Sequence, residues 1–151
     1  MRAAISRQYP KREEGAAMVE FALLLLVLLL IILGVIQFGL MFYTKYVITA
    51  GSREGARYGA IYRTNSNGDR LAPANFSPSV EQVVRDYVNN LLTDADDLVT
   101  IEVVGSGYTT GNPGEDLIVR VQCQNNWDLL SGLVPAMSNI TFHSETIMKV
   151  E

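Results

Sequence analysis

Glu20 is the residue best placed to do chemistry in this 151-residue chain, because it stands at the head of a run that is otherwise apolar. Residues 21–43 are apolar or aromatic throughout except for Gln37 and the glycines at 34 and 39. A carboxylate within a bilayer-spanning helix is disfavoured by roughly 2.5–3.5 kcal/mol on insertion scales, so it needs a partner of opposite charge or an escape to the headgroups. Small residues, Gly15, Ala16 and Ala17, precede it, and a short leader bearing Arg2, Arg7, Lys11 and Arg12 precedes those.

The other ionisable residues offer less. His143 is the only histidine, and alternation places it with Thr141, Glu145 and Lys149, opposite Phe142 and Met148, on the solvent side of a strand. Cys123, the only cysteine, excludes an intrachain disulfide or a cysteine-based zinc site and reads as a small apolar strand residue. Asp94, Asp96 and Asp97 lack the twelve-residue spacing of a calcium loop and read as an acidic helix end. The turn Asn65–Asp69 reads in the same way. No G-x-S-x-G turn presents a nucleophile. The expectation is therefore no catalytic residue, no metal, no cofactor, no small-molecule substrate and no enzyme activity.

The element that must position Glu20 is the apolar run. Its 23 residues make a helix of roughly 35 Å, enough to cross a hydrocarbon core of about 30 Å with some tilt. A signal peptide would have a shorter apolar region with small residues after it. Here the small residues come before it, and the helical pattern continues through Tyr46, Val47, Ala50, Arg57, Tyr58 and Ile61. A cut beside Gly15 would leave the apolar helix as the mature N-terminus. Basic residues flank the run on both sides, so the positive-inside rule alone does not orient it. The short leader and the domain-sized C-terminal part favour a cytoplasmic N-terminus and an exported C-terminus. Net charge is −4, and beyond residue 15 the balance is 8 basic against 14 acidic residues, net −6. Such an acidic part, without basic clusters, argues against nucleic acid.

The stretch Arg12-Glu13-Glu14-Gly15-Ala16-Ala17-Met18-Val19-Glu20-Phe21-Ala22-Leu23, with Gln37-Phe38-Gly39 and the block Ser52-Arg53-Glu54-Gly55-Ala56-Arg57-Tyr58-Gly59-Ala60, resembles the TadE-like pseudopilins, or minor pilins, of the tight-adherence (Flp, type IVb-like) pilus system. The resemblance covers roughly residues 12–62. Members often have a proline early in the apolar run, where this chain reads Leu25-Leu26-Val27-Leu28, a departure that bears on helix shape. The resemblance implies that a prepilin peptidase cuts between Gly15 and Ala16. Ala16 would then gain an α-amino group, cationic at neutral pH since its reference pKa is about 7.7–8.0. It further implies that Glu20, with Phe21 beside it, mediates subunit assembly by pairing with the N-terminal amine of a neighbouring subunit. The implied partners are major and minor pilins, the peptidase, the inner-membrane assembly platform and the lipid bilayer. The implied setting is a bacterial inner membrane crossed once, with a role in pilus biogenesis and adherence. Snorkelling of Glu20 to the headgroups, with no partner, is the alternative from the residues alone.

The expected architecture is α+β and pilin-like. A leader (1–15) is followed by a long helix (16–62), transmembrane over about 21–43, then a connector (63–76) and an exported head (77–151) of one helix on a three-stranded antiparallel sheet. Gly51, Gly55 and Gly59, flanked by Ala56 and Ala60, form a smooth stripe. Each glycine disfavours helix by roughly 1 kcal/mol relative to alanine, so a repeat of three signals close packing, against another subunit's helix or the chain's own sheet. Arg53, Glu54 and Arg57 read as solvated ion pairing on a helix surface. Ser77 or Ser79 caps a second helix whose apolar positions run from Val80 to Leu91 and which ends near Thr93. Strands fall at Leu98–Val104, Leu117–Gln124 and Ile140–Val150, with Gly105–Gly114 as a long hairpin loop. The segment from Trp127 to Val134 closes the core or offers a contact surface. The rival to a pilin is an unprocessed signal-anchored protein whose exported head binds a ligand or partner.

Overall fold

The computed structural model describes residues 11–92, 98–126 and 139–151. The expectations for Asp94, Asp96, Asp97 and Trp127–Val134 lie outside them. The chain divides into two units at Leu40–Met41.

In the first unit the described residues are all helical and form the N-terminal part of α1 (Lys11–Ala60). Leucine, isoleucine and valine side chains from Leu23 to Ile36 are exposed apart from the half-buried Leu33, and Gln37 just beyond them is buried. A helix that is apolar on every side is suited to lipid or to a helical bundle, and this one is long and apolar enough to cross a membrane.

The second unit is an α+β head. It contains the last turns of α1, then α2 (Val80–Asn89), β1 (Val99–Val104), α3 (Ser106–Thr110), β2 (Asp116–Asn126) and β3 (Asn139–Lys149). The strands form one antiparallel sheet in the order β1-β2-β3. Val99 pairs with Cys123 on one side of β2, and Cys123 pairs with Phe142 on the other. The strands sit within two residues of their expected bounds.

Within the head, α1 changes character. Thr44, Val47, Ile48, Gly51, Ser52, Gly55, Ala56, Gly59 and Ala60 are buried, while Lys45, Tyr46, Arg53 and Arg57 are exposed. That three-four spacing is one helix face turned to a core. The core consists of Val47, Ile48 and Ala56 of α1, Val80, Val84 and Val88 of α2, and Val99, Val103, Leu117, Val119, Val121 and Cys123 of the sheet. It is built almost wholly of small and β-branched side chains.

The packing of α1 on α2 follows from one coincidence of spacing. Gly51, Gly55 and Gly59 recur every four residues, as do Val80, Val84 and Val88, and the helices run antiparallel so that each glycine receives one valine. A Cβ placed on Gly51 would lie 3.1 Å from Val88 Cγ2, and one on Gly59 would lie 3.1 Å from Val80 Cγ2 and 2.6 Å from Leu117 Cδ2. One on Gly55 would overlap Val84 Cγ2 outright. The stripe is therefore filled by the chain's own α2 and by β2.

Local chemistry explains the remaining boundaries. Ser79, not Ser77, caps α2, accepting from the backbone N–H of Gln82 at 3.1 Å. Arg63 closes the end of α1, its guanidinium 4.2 Å from the Tyr58 ring centre and 4.7 Å from that of Phe76. Tyr58 donates to the carbonyl of Pro78 at 2.8 Å. The connector carries a single 3-10 turn at Pro73–Asn75.

The segment 105–114, expected as an open hairpin loop, instead contains the short helix α3. Gly111 ends it in the left-handed region (φ 71°), where its N–H reaches the carbonyl of Gly107. Thr110 and Asn112 bond the Glu115 carboxylate and hold its pKa below the ordinary carboxylate value.

Gly55→Ala in the full chain should destabilise the head by about 1–3 kcal/mol, the usual range for overpacking a filled site. Val84→Ala in the same chain should recover part of that loss, because it removes the methyl groups in the way. Chemical unfolding followed by far-ultraviolet circular dichroism in detergent measures both. Gly34→Ala is the control, since nothing lies within 4 Å of that position.

Candidate assembly helix and its seat on the head

The candidate functional residues lie along α1, and the structure separates them into two groups. Gly15, Ala16, Glu20 and Phe21 are exposed in the first unit, Phe21 at 66 %. Gly15 and Ala16 are helical, and nothing lies within 4 Å of where a Gly15 side chain would be. Gly51, Gly55, Ala56, Gly59 and Ala60 lie in the second unit, where they form the packed stripe.

A hydroxyl cluster that the sequence reading missed fixes α1 on the sheet. Ser52 is fully buried, and its hydroxyl lies 3.1 Å from the Ser144 hydroxyl and 2.8 Å from that of Thr146, both on β3. It also donates to the carbonyl of Thr49 at 3.0 Å. Two further bonds join α1 to β3 and to the residues that follow it. The Lys45 ammonium donates to the carbonyl of His143, and the N–H of Glu151 donates to the carbonyl of Ala60 at 3.0 Å. Lys45 and Ser52 meet β3, and Ala60 meets Glu151 just after it, in rising order, so α1 and β3 run in the same direction. The helix lies along β3, whose backbone would otherwise be an open edge. The available signal was Ser52 inside the small-residue stripe, together with Ser144 and Thr146 on the same strand face as Phe142 and Met148.

Charges on the head are displayed at its surface. Arg120, central on the exposed sheet face, bonds Glu145 at 2.6 Å and Glu102 at 3.4 Å. These partners raise its pKa, Glu145 first, yet exposed pairs of this kind add little stability. Arg57 lies 3.9 Å from Glu54, and both are exposed. Burial pushes the Cys123 thiol up in pKa, which makes it a poor nucleophile. Burial also raises the pKa of Tyr108, assisted by Glu81. His143 is exposed. Among the described residues no group of three His, Cys, Asp or Glu side chains is placed to hold a metal. A shallow groove of about 490 Å³ is lined by residues including Tyr46, Arg53, Glu54, Arg57 and Tyr87.

A helix long and apolar enough to cross a membrane, followed by a small α+β head, is consistent with a pilin-like membrane protein. A family model described as TadE-like protein matches residues 15–57. Over that segment, which is less than half of the chain, the sequence is similar to TadE-like proteins. The match covers Gly15, Glu20 and the glycine stripe as far as Gly55. No curated protein and no solved structure matches the chain.

Ser52→Ala should destabilise the head by about 1–3 kcal/mol, because it takes a buried partner from two hydroxyls. Replacing all three groups (Ser52→Ala, Ser144→Ala, Thr146→Val) should cost less than the sum of the single changes. Thermal unfolding of the parent, the three single variants and the triple variant checks this.

Proposed function

We propose that this chain is a minor pilin or pseudopilin subunit of a tight-adherence pilus, cleaved by a prepilin peptidase after Gly15 and assembled through α1. The observation that carries the proposal is the TadE-like match over residues 15–57, which coincides with the exposed apolar helix and begins at the glycine proposed to precede the cut. Cleavage there would expose the amine of Ala16 one helical turn from Glu20. A neighbour's amine and the Glu20 carboxylate would then neutralise each other in a low-dielectric setting, where a lone charge is strongly disfavoured. The pair would also set the axial register between subunits.

The helical state of Gly15 bears on the cleavage step. A protease cleft takes extended substrate, so the first turns of α1 must unwind. Glycine weakens a helix by roughly 1 kcal/mol relative to alanine and lowers the barrier to opening at that point. The small side chains of Ala16 and Ala17 leave the far side of the bond clear.

In this reading the peptidase, the major and minor pilins and the assembly platform are the partners, the N-terminus is cytoplasmic, and the head is exported. The function is assembly and adherence, with no chemistry performed by the head.

Intact mass of the membrane-extracted protein from cells containing the peptidase should correspond to residues 16–151. Retention of the leader would favour the unprocessed signal-anchored alternative. Glu20→Gln should insert into the membrane as well as the parent but recover far less of the other pilus subunits on copurification. Undiminished recovery would contradict the pairing role.

A further inference from the structure

We infer that the head does not stand clear of the bilayer: its near end, formed by the C-terminus of α2 and the first residues of β3, rests in the lipid headgroup layer. The inference depends on the reading of residues 21–43 as a membrane span and adds a second contact with the same membrane.

The evidence lies within residues 41–151. Phe42, Tyr43 and Tyr46 are all exposed, at 72 %, 44 % and 66 %. Aromatic residues at the end of an apolar run mark a membrane–water boundary, and tyrosine in particular keeps its hydroxyl at headgroup level. The Tyr43 hydroxyl donates to the carbonyl of Leu91 at 2.9 Å. That bond ties the end of α2 to the boundary residue itself.

The register of the two helices gives the height independently. Val88 faces Gly51, so Leu91, three residues further on, falls near the level of Ile48, roughly 7 Å along the axis from Tyr43. The headgroup layer is about 5–8 Å thick on each side of the hydrocarbon. Leu91 is 41 % exposed, an apolar side chain at the depth where interfacial burial is favourable.

The sheet reaches the same level. Because β3 runs in the same direction as α1 and its His143 carbonyl meets the Lys45 ammonium, residues before His143 descend towards the boundary. Thr141 lies roughly 7 Å below His143 at strand rise. Two separate elements of the head therefore arrive at the membrane surface. Lys45, exposed two residues beyond Tyr43, bonds the strand end through its ammonium.

The test uses the full-length chain in phosphatidylcholine vesicles, with Cys123→Ala as background and a bimane label at one introduced cysteine. The sites are Leu91→Cys, Thr141→Cys, Glu81→Cys at the far end of α2, and Val27→Cys within the span. Asn90→Cys serves in place of Leu91→Cys should the latter not fold. Lipid bearing a headgroup nitroxide should quench the labels at 91 and 141 at least roughly twofold more than the label at 81, the contrast expected of side chains 5–10 Å into the interface. Iodide in the aqueous phase should favour position 81. Equal quenching at 81, 91 and 141, with the label at 27 still quenched by acyl-chain nitroxide, would overturn the headgroup contact while leaving the membrane span intact. A label at 27 quenched by iodide and not by acyl-chain nitroxide would overturn the span, and the headgroup contact with it.

Discussion

The interlock of three glycines on α1 with three valines on α2 is the contact on which the head depends. Side chains at Gly51, Gly55 or Gly59 would collide with Val88, Val84 or Val80, and at Gly59 with Leu117 as well. Without Cβ atoms the two backbones approach closely enough for α1 to reach the sheet beneath. Three glycines lower helix propensity by roughly 3 kcal/mol in sum. Burial of Val80, Val84 and Val88, each fully inaccessible, offsets this at about 1.5–3 kcal/mol per side chain. The repeat thus trades local stability for tertiary packing.

From that contact the rest of the head is positioned. The small stripe lets Ser52 reach Ser144 and Thr146, so the helix that covers α2 on one face also lies along β3 through hydroxyl bonds. The charges of Arg53, Glu54 and Arg57 are left on the outward face. The same helix between Phe21 and Leu40 has no such stripe and is apolar apart from Gln37 and two glycines. One continuous element is therefore matched to two surroundings, and the change falls within a few residues of Tyr43, where aromatic side chains and a lysine cluster.

Much of this was legible in the sequence because it rests on strong periodic signals. The uninterrupted apolar run is long enough as a helix to cross a bilayer, and the four-residue glycine repeat announced a close approach before its partner was known. What the repeat alone left open was the partner, since the matching valine spacing on α2 acquires meaning only when the helices are seen to be antiparallel. α3 escaped notice because five residues with two threonines and a glycine carry no apolar period. It forms because Gly111 can end it and because Gly107 packs beneath Val150. The hydroxyl cluster was hidden for a related reason: serine and threonine on a strand ordinarily signal solvent, and the buried ones became visible only against Ser52. The role proposed for Glu20 is relational, because its partner would belong to another subunit and would exist only after cleavage.

If residues 21–43 span the membrane, α1 faces lipid there except along the narrow face of Leu33 and Gln37, and from Thr44 onward it presents one buried face to its own head. Cysteine scanning of residues 21–60 in the reconstituted chain, read by a membrane-impermeant thiol reagent, tests this most directly. The account requires no aqueous labelling at any position from 21 to about 43, followed by an alternation of period 3.6 in which 47, 48, 51, 52, 55 and 56 are protected while 46, 53 and 57 react. Labelling of that same period within 21–43 would show a soluble amphipathic helix and contradict the account, as would uniform reactivity from 44 to 60.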